Sequence, residues 1–103
     1  MTSLEQLTGG DTTAIRALLE ELVSSNADDL ARLLHLSSRQ DLPGLADLAH
    51  RIKGGARIVQ AQRLIAACEA LENACRGDDT LLLAQAVEDI RQAIEHLAEQ
   101  LKT

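Results

Sequence analysis

The chain of 103 residues contains no phenylalanine, tyrosine or tryptophan. Without aromatic rings it lacks the surfaces on which nucleic-acid bases stack, and its net charge of -6 is the wrong sign for binding phosphate backbones. Nucleic acid is therefore not expected as a partner. The apolar runs are short, and no basic-then-apolar leader precedes them, so neither a membrane span nor a secretory signal is expected. We expect one cytoplasmic domain over residues 1–103.

Cysteine is also scarce. Cys68 and Cys75 are separated along a helical pattern by about 10 Å of rise, which is beyond the reach of a disulfide, so both are expected to be buried thiols. No fourth ligand converges with them and His96, which argues against a zinc site. Glycine-rich nucleotide loops and Ser/His/Asp arrangements are absent as well. We expect no metal, no cofactor of its own, and no enzyme activity within this domain.

Apolar residues recur at helical spacing along nearly the whole chain, and no segment shows the sustained alternation of a strand. The pattern predicts an all-α fold. A short helix over residues 3–7 should end at Gly9 and Gly10. Asp11 or Thr12 can then cap a long helix that reaches a polar turn at residues 37–40.

Capping signals predict three further helices. Asp41 followed by Pro43 begins one of them, which should fade near residues 58–61. The next carries an apolar stripe as far as Gly77, and Thr80 can cap the last. Short connections make neighbouring helices antiparallel. The prediction is an antiparallel up-down four-helix bundle with a short extra N-terminal helix.

His50 is the residue whose position calls most for a functional explanation. At about 100° per residue, the apolar stripe of its helix lies roughly opposite His50, so burial does not explain the histidine. Lys53 and Arg57 follow at helical spacings, and Gly54 leaves the surface one turn away without a side chain. An exposed imidazole beside cations and open space suits phosphoryl capture. The alternative for Gly54 and Gly55 is that they only weaken or end the helix.

Positive charge gathers in the same place. Between His50 and Arg63 there are four basic residues and no acid, although the chain carries sixteen acids. Arg51 and Arg57 are candidate docking residues in this basic window. The alternative is an ordinary solvated helix face.

Glu72 is a second candidate. If the helices before and after Ala61 form an antiparallel hairpin, residues 50 and 72 are level, since each is eleven positions from the turn. A carboxylate there could accept a hydrogen bond from one imidazole nitrogen and leave the other as nucleophile. The alternative is a simple boundary residue. His35 and His96 have no comparable neighbours and are not expected to be functional.

The stretch His50-Arg51-Ile52-Lys53-Gly54-Gly55-Ala56 resembles the His-x-x-Lys-Gly signature of histidine-containing phosphotransfer (HPt) domains. Residues 28–33 are similar to the family's preceding helix, and residues 45–50 to its approach to the phosphorylated histidine. Residues 49–60 look most like HPt domains at the C-terminal end of hybrid sensor kinases of the BvgS/EvgS type. Many family members have glycine ten residues after the histidine, where this chain has Gln60. The departure concerns the shape of the turn.

The resemblance implies that His50 accepts a phosphoryl group from a receiver-domain aspartate of a hybrid sensor kinase and passes it to the receiver of a response regulator. Lys53 would neutralise phosphoryl oxygens, and Gly54 would clear space for the receiver, which supplies the aspartate and its Mg²⁺. The domain would then be a phosphocarrier, and its parent chain could be a membrane-bound histidine kinase. The alternative is a helical protein-interaction module that docks partners without being phosphorylated.

Overall fold

A computed structural model describes residues 12–77 and 79–102, so the short helix expected over residues 3–7 lies outside the described residues. Within this part the chain is helical, with no strand. The four helices are α1 (Thr12–Ser38), α2 (Leu42–Ile58), α3 (Gln62–Ala74) and α4 (Thr80–Lys102). Each helix packs against the next one along the chain, and α4 returns to pack against α1. The predicted all-α four-helix bundle is confirmed.

Aliphatic side chains and alanines fill the core in place of aromatic rings. Leucine and isoleucine supply most of its volume, and small residues let neighbouring helices approach closely. The alanines of the core are Ala49, Ala56, Ala67, Ala74, Ala86 and Ala93. Cys68 is fully buried as expected, whereas Cys75 is only partly buried. Burial raises the pKa of the Cys68 thiol to about 12, so this cysteine is unreactive at neutral pH.

Two loops use the same helix-ending turn. Gln60 lies just after α2 with a φ of 56°, and Gln40 lies just after α1 with a φ of 52°. In the turn after α2, Ala61 N–H donates to the carbonyl of Ala56 and Gln60 N–H donates to that of Arg57. These paired hydrogen bonds are the Schellman motif, whose left-handed position usually holds glycine. The chain therefore keeps the tight turn with glutamine in place of glycine.

Aspartates cap two of the helices. The Asp41 carboxylate accepts a hydrogen bond from Gly44 N–H at 3.0 Å, and Pro43 lies in the first turn of α2, as predicted. At α4 the prediction of Thr80 as cap is wrong. The Asp79 carboxylate accepts from the N–H groups of Leu81 and Leu82, and Thr80 is already helical. An aspartate one residue earlier is an equally good or better cap, so it displaces threonine.

The end of α3 also differs from expectation. The helix stops at Ala74, three residues before Gly77, and Gly77 does not take the left-handed conformation of a C-terminal glycine. Cys75 N–H instead closes the last turn by donating to the carbonyl of Leu71. Among residues 12–77 and 79–102, no helix is both long and apolar enough to cross a membrane.

Candidate functional site

His50 lies in the middle of α2, on the face opposite the core. The side chains of Leu48, Ala49 and Ile52 are buried, whereas 73% of the His50 side chain is exposed. The helical periodicity of α2 explains this difference, because its apolar stripe faces the other helices. The imidazole is therefore open to an approaching molecule.

Glu72 of α3 lies beside this imidazole. Its Oε2 is 3.6 Å from Nδ1 of His50, slightly longer than a direct hydrogen bond. The antiparallel α2–α3 hairpin makes the two residues level, because both are eleven positions from Ala61. Only 18% of the Glu72 side chain is exposed, so the carboxylate lies at the edge of the core and faces the ring.

Lys53 lies at the edge of the core, although it is only three residues after the exposed His50. Its side chain is only 11% exposed, and its ammonium Nζ lies 2.5 Å from Oε1 of Glu72. Residue 53 is adjacent to the buried side of α2, so its aliphatic stem lies along apolar surface and its charged end reaches the boundary with α3. The Lys53 charge is thus already paired with Glu72.

The pairing fixes the charge of Glu72. A hydrogen bond from Lys53 lowers the pKa of the Glu72 carboxyl, and the positive charge of Lys53 acts in the same direction, against the opposing effect of burial. The carboxylate therefore stays ionised at neutral pH. An anion next to Nδ1 favours the tautomer that keeps its proton there and leaves the lone pair on Nε2.

The basic window of the sequence divides between different faces of the bundle. Arg51 donates from Nη2 to the Asp29 carboxylate of α1 at 3.0 Å. Arg57 is exposed further along α2. Arg63 lies on the other side of α3, in a groove with Asp89 of α4. The window is therefore not one continuous surface, because helical geometry and the turn after α2 separate its members.

Asp29 lies at a core position of α1, where the helical pattern favours an apolar residue. It is almost completely buried, and it connects α1 to the residue that follows His50. Asn26, one turn earlier, is likewise buried. A polar residue at a core position indicates that a polar partner lies nearby. The spacing of residues along the chain does not identify that partner as Arg51.

The two adjacent glycines have different surroundings. A side chain built at Gly54 would meet nothing within 4 Å, so this position is open. One built at Gly55 would come within 3.0 Å of Leu22 Cδ1 on α1. The alternative that the glycine pair ends the helix is wrong, because α2 continues to Ile58.

The other two histidines lie elsewhere. His35 is exposed in the last turn of α1, and His96 is exposed on α4, with Nε2 at 3.5 Å from the side-chain nitrogen of Gln100. In the part of the chain that the structure describes, no group of histidine, cysteine, aspartate or glutamate side chains could hold a metal ion.

Comparison with known proteins agrees with this geometry. Residues 17–100 match the family described as Hpt domain. The virulence sensor protein BvgS of Bordetella bronchiseptica is 43% identical over 75 residues, and those of Bordetella parapertussis and Bordetella pertussis are each 41% identical over the same length. The match covers 73% of this chain and 6% of each sensor protein.

No solved structure matches the chain significantly. The family match nevertheless spans all four helices, from within α1 to near the end of α4. It includes His50 with its neighbours Lys53 and Gly54, and Glu72 on α3. The chain belongs to the Hpt domain family, whose members are phosphotransfer modules of phosphorelays.

Proposed function

We propose that this domain carries phosphoryl groups in a multistep His-Asp relay and that His50 is the residue phosphorylated. The observation that carries the proposal is an exposed imidazole whose Nδ1 faces the ionised carboxylate of Glu72. The donor is the receiver domain of a hybrid sensor kinase, and the acceptor is the receiver domain of a response regulator. Since the chain spans only 6% of its BvgS relatives, a parent histidine kinase is part of the proposal.

The reaction needs little from this domain beyond a positioned nucleophile. The Nε2 lone pair of His50 attacks the phosphorus of the receiver's aspartyl phosphate. The N–P bond forms as the acyl O–P bond breaks, and the aspartate leaves as a carboxylate. The second receiver reverses these bond changes. Throughout, the proton on Nδ1 stays beside Glu72, which acts as a positioning residue.

Lys53 has a revised role in this scheme. A phosphoryl group on His50 brings negative charge close to the Glu72 carboxylate, and like charges repel. Because Lys53 is paired with Glu72, it offsets this repulsion and can share its remaining N–H donors with phosphoryl oxygens. Lys53 therefore stabilises both the Glu72 carboxylate and the phosphoryl group.

The remaining site residues concern docking. Gly54 leaves room one turn from His50, and Arg51 and Arg57 present positive charge on the same helix. The domain uses no nucleotide and no cofactor of its own in this scheme. The receiver brings its own Mg²⁺, which neutralises the phosphoryl group as charge redistributes.

Incubation with radiolabelled phosphorylated receiver domains tests the proposal. The wild-type chain should acquire acid-labile phosphate, His50→Gln should acquire none, and His35→Gln and His96→Gln should be labelled like the wild type. Circular dichroism should show that His50→Gln stays helical, because the side chain is exposed. Labelling that persists in His50→Gln would refute the assignment. Receiver binding without any labelling would favour the interaction module instead.

A further inference from the structure

Asp29 poses a problem that the proposed function does not solve. Its side chain is only 6% exposed, and the partly buried residues near it on α1, Leu22, Val23 and Leu30, are apolar. Burying a carboxylate costs several kcal/mol unless it is paired, and an apolar residue of similar volume often serves stability as well or better. A buried aspartate at this place calls for a role beyond packing.

The partner of Asp29 suggests that role. Arg51 follows His50 directly, and one guanidinium nitrogen donates to Asp29 at 3.0 Å. The Arg51 side chain is nevertheless 61% exposed, so the other donors of its planar fork face solvent. Lys53, by contrast, is mostly buried and paired with Glu72. Of these two cations next to His50, Arg51 is the one that an approaching protein can reach.

Arg51 also lines a groove between α1 and α2. We call this the α1–α2 groove, and its walls include Arg32, His35, Leu36, Asp47, Leu48 and Arg51. Arg32 is exposed on α1, one turn after Asp29, and adds a second arginine to this groove. Two arginines and one aspartate, Asp47, therefore line this groove, in a chain whose net charge is -6.

We infer that Asp29 is a positioning residue that fixes Arg51 so that the α1–α2 groove receives an acidic surface of the receiver domain beside His50. This inference rests on the proposed function. The phosphorylated receiver brings an aspartyl phosphate and the carboxylates that hold its Mg²⁺, and their combined negative charge exceeds the positive charge of the ion. An arginine held in one orientation loses less side-chain entropy on docking, and complementary charge speeds association.

A double-mutant cycle measures the effect on receiver binding. The variants are Arg51→Ala, Asp29→Asn and the double variant, with Arg63→Ala on the α3–α4 side as the matched control. The probe is a phosphorylated receiver domain that labels the wild-type chain. We expect Arg51→Ala to weaken binding about tenfold and Asp29→Asn about threefold, with the double variant no weaker than Arg51→Ala alone. Arg63→Ala should bind like the wild type.

Two further measurements distinguish a failure of this inference from a failure of the proposed function. The slope of binding against salt concentration should be smaller for Arg51→Ala, and the small donor phosphoramidate should label His50 equally in the wild type and in the Arg63→Ala control. Wild-type binding by Arg51→Ala, with labelling intact, would overturn the inference alone. Equal weakening by Asp29→Asn with and without Arg51 would also overturn it. A wild-type chain that no donor labels would refute the proposed function and this inference with it.

Discussion

At the scale of single residues, the site depends on one carboxylate with two neighbours. Glu72 pairs with the Lys53 ammonium through one oxygen and faces His50 through the other. The Lys53 contact keeps the carboxylate ionised, and an ionised carboxylate beside Nδ1 favours a proton on that nitrogen. Removing Lys53 would therefore affect His50 through Glu72, even though Lys53 and His50 contact different oxygens of that carboxylate.

Glu72→Gln should lower stability in a pH-dependent way. Because Lys53 lowers the pKa of Glu72, the ionised carboxylate stabilises the folded state above the ordinary value of 4.5, and this contribution is lost as the pH falls through the lowered folded-state value. The variant should be less stable than the wild type by about 1–3 kcal/mol at pH 7, since it leaves the mostly buried Lys53 without its anion. The difference between the two proteins should be smaller at pH 3 than at pH 7.

Urea unfolding at both pH values measures this difference. Glu69→Gln, an exposed residue on the same helix, is the control and should change stability little at either pH. A difference for Glu72→Gln that is the same at pH 7 and pH 3 would show that the carboxylate contributes through its shape and not through its charge.

At the scale of elements, two turns place the site. The turn after α2 determines where α3 begins, and therefore brings Glu72 level with His50. Both this turn and the one after α1 hold a glutamine in the left-handed conformation. A side chain in that conformation costs about 1–2 kcal/mol, so the chain tolerates strain at both turns.

Gln40→Gly and Gln60→Gly should each stabilise the bundle. Glycine removes the strain at a left-handed position but adds freedom to the unfolded chain, which leaves a net gain of about 0.5–1 kcal/mol. Gln92→Gly is the control: residue 92 is exposed in the interior of α4, so glycine there should lower stability by about as much. Thermal unfolding followed by circular dichroism would measure all three. Destabilisation by Gln60→Gly would mean that the glutamine side chain contributes contacts that outweigh its backbone strain.

These elements also show how far the sequence alone leads. Helical periodicity predicts the buried faces and the exposure of His50. The equal distance of residues 50 and 72 from the turn at Ala61 predicts that Glu72 lies level with His50. Periodicity does not predict the burial of Lys53, because a long side chain at the edge of a stripe can lie along the core or extend into solvent. Nor does it show that Asp79 rather than Thr80 caps α4, since both are suitable caps in adjacent positions. The Asp29–Arg51 pair depends on the register of α1 against α2, and the length of the connection between these helices does not determine that register.

At the scale of the whole molecule, the face of α2 proposed for receiver docking is separate from the face that packs against α1. Adjacent glycines in α2 lie on either side of this division. Gly54 points to open space, whereas Gly55 faces Leu22 of α1 across a close helix contact. The same substitution at the two positions should therefore have opposite consequences for binding and for stability.

Gly54→Leu should lose receiver binding and phosphotransfer and keep the fold. A leucine side chain one turn from His50 obstructs an approaching receiver, while leucine in an exposed helix position is up to about 1 kcal/mol more favourable than glycine. Phosphoramidate should still label His50, because a small donor passes the leucine. Gly55→Leu is the matched control: it should lower the free energy of unfolding by about 1–3 kcal/mol, because its side chain meets that of Leu22, which must shift to make room. Urea unfolding and single-turnover transfer from a receiver, measured on both variants, separate the two effects. Undiminished transfer by a folded Gly54→Leu variant would mean that receivers approach His50 from another side, since no docked protein could then cover position 54.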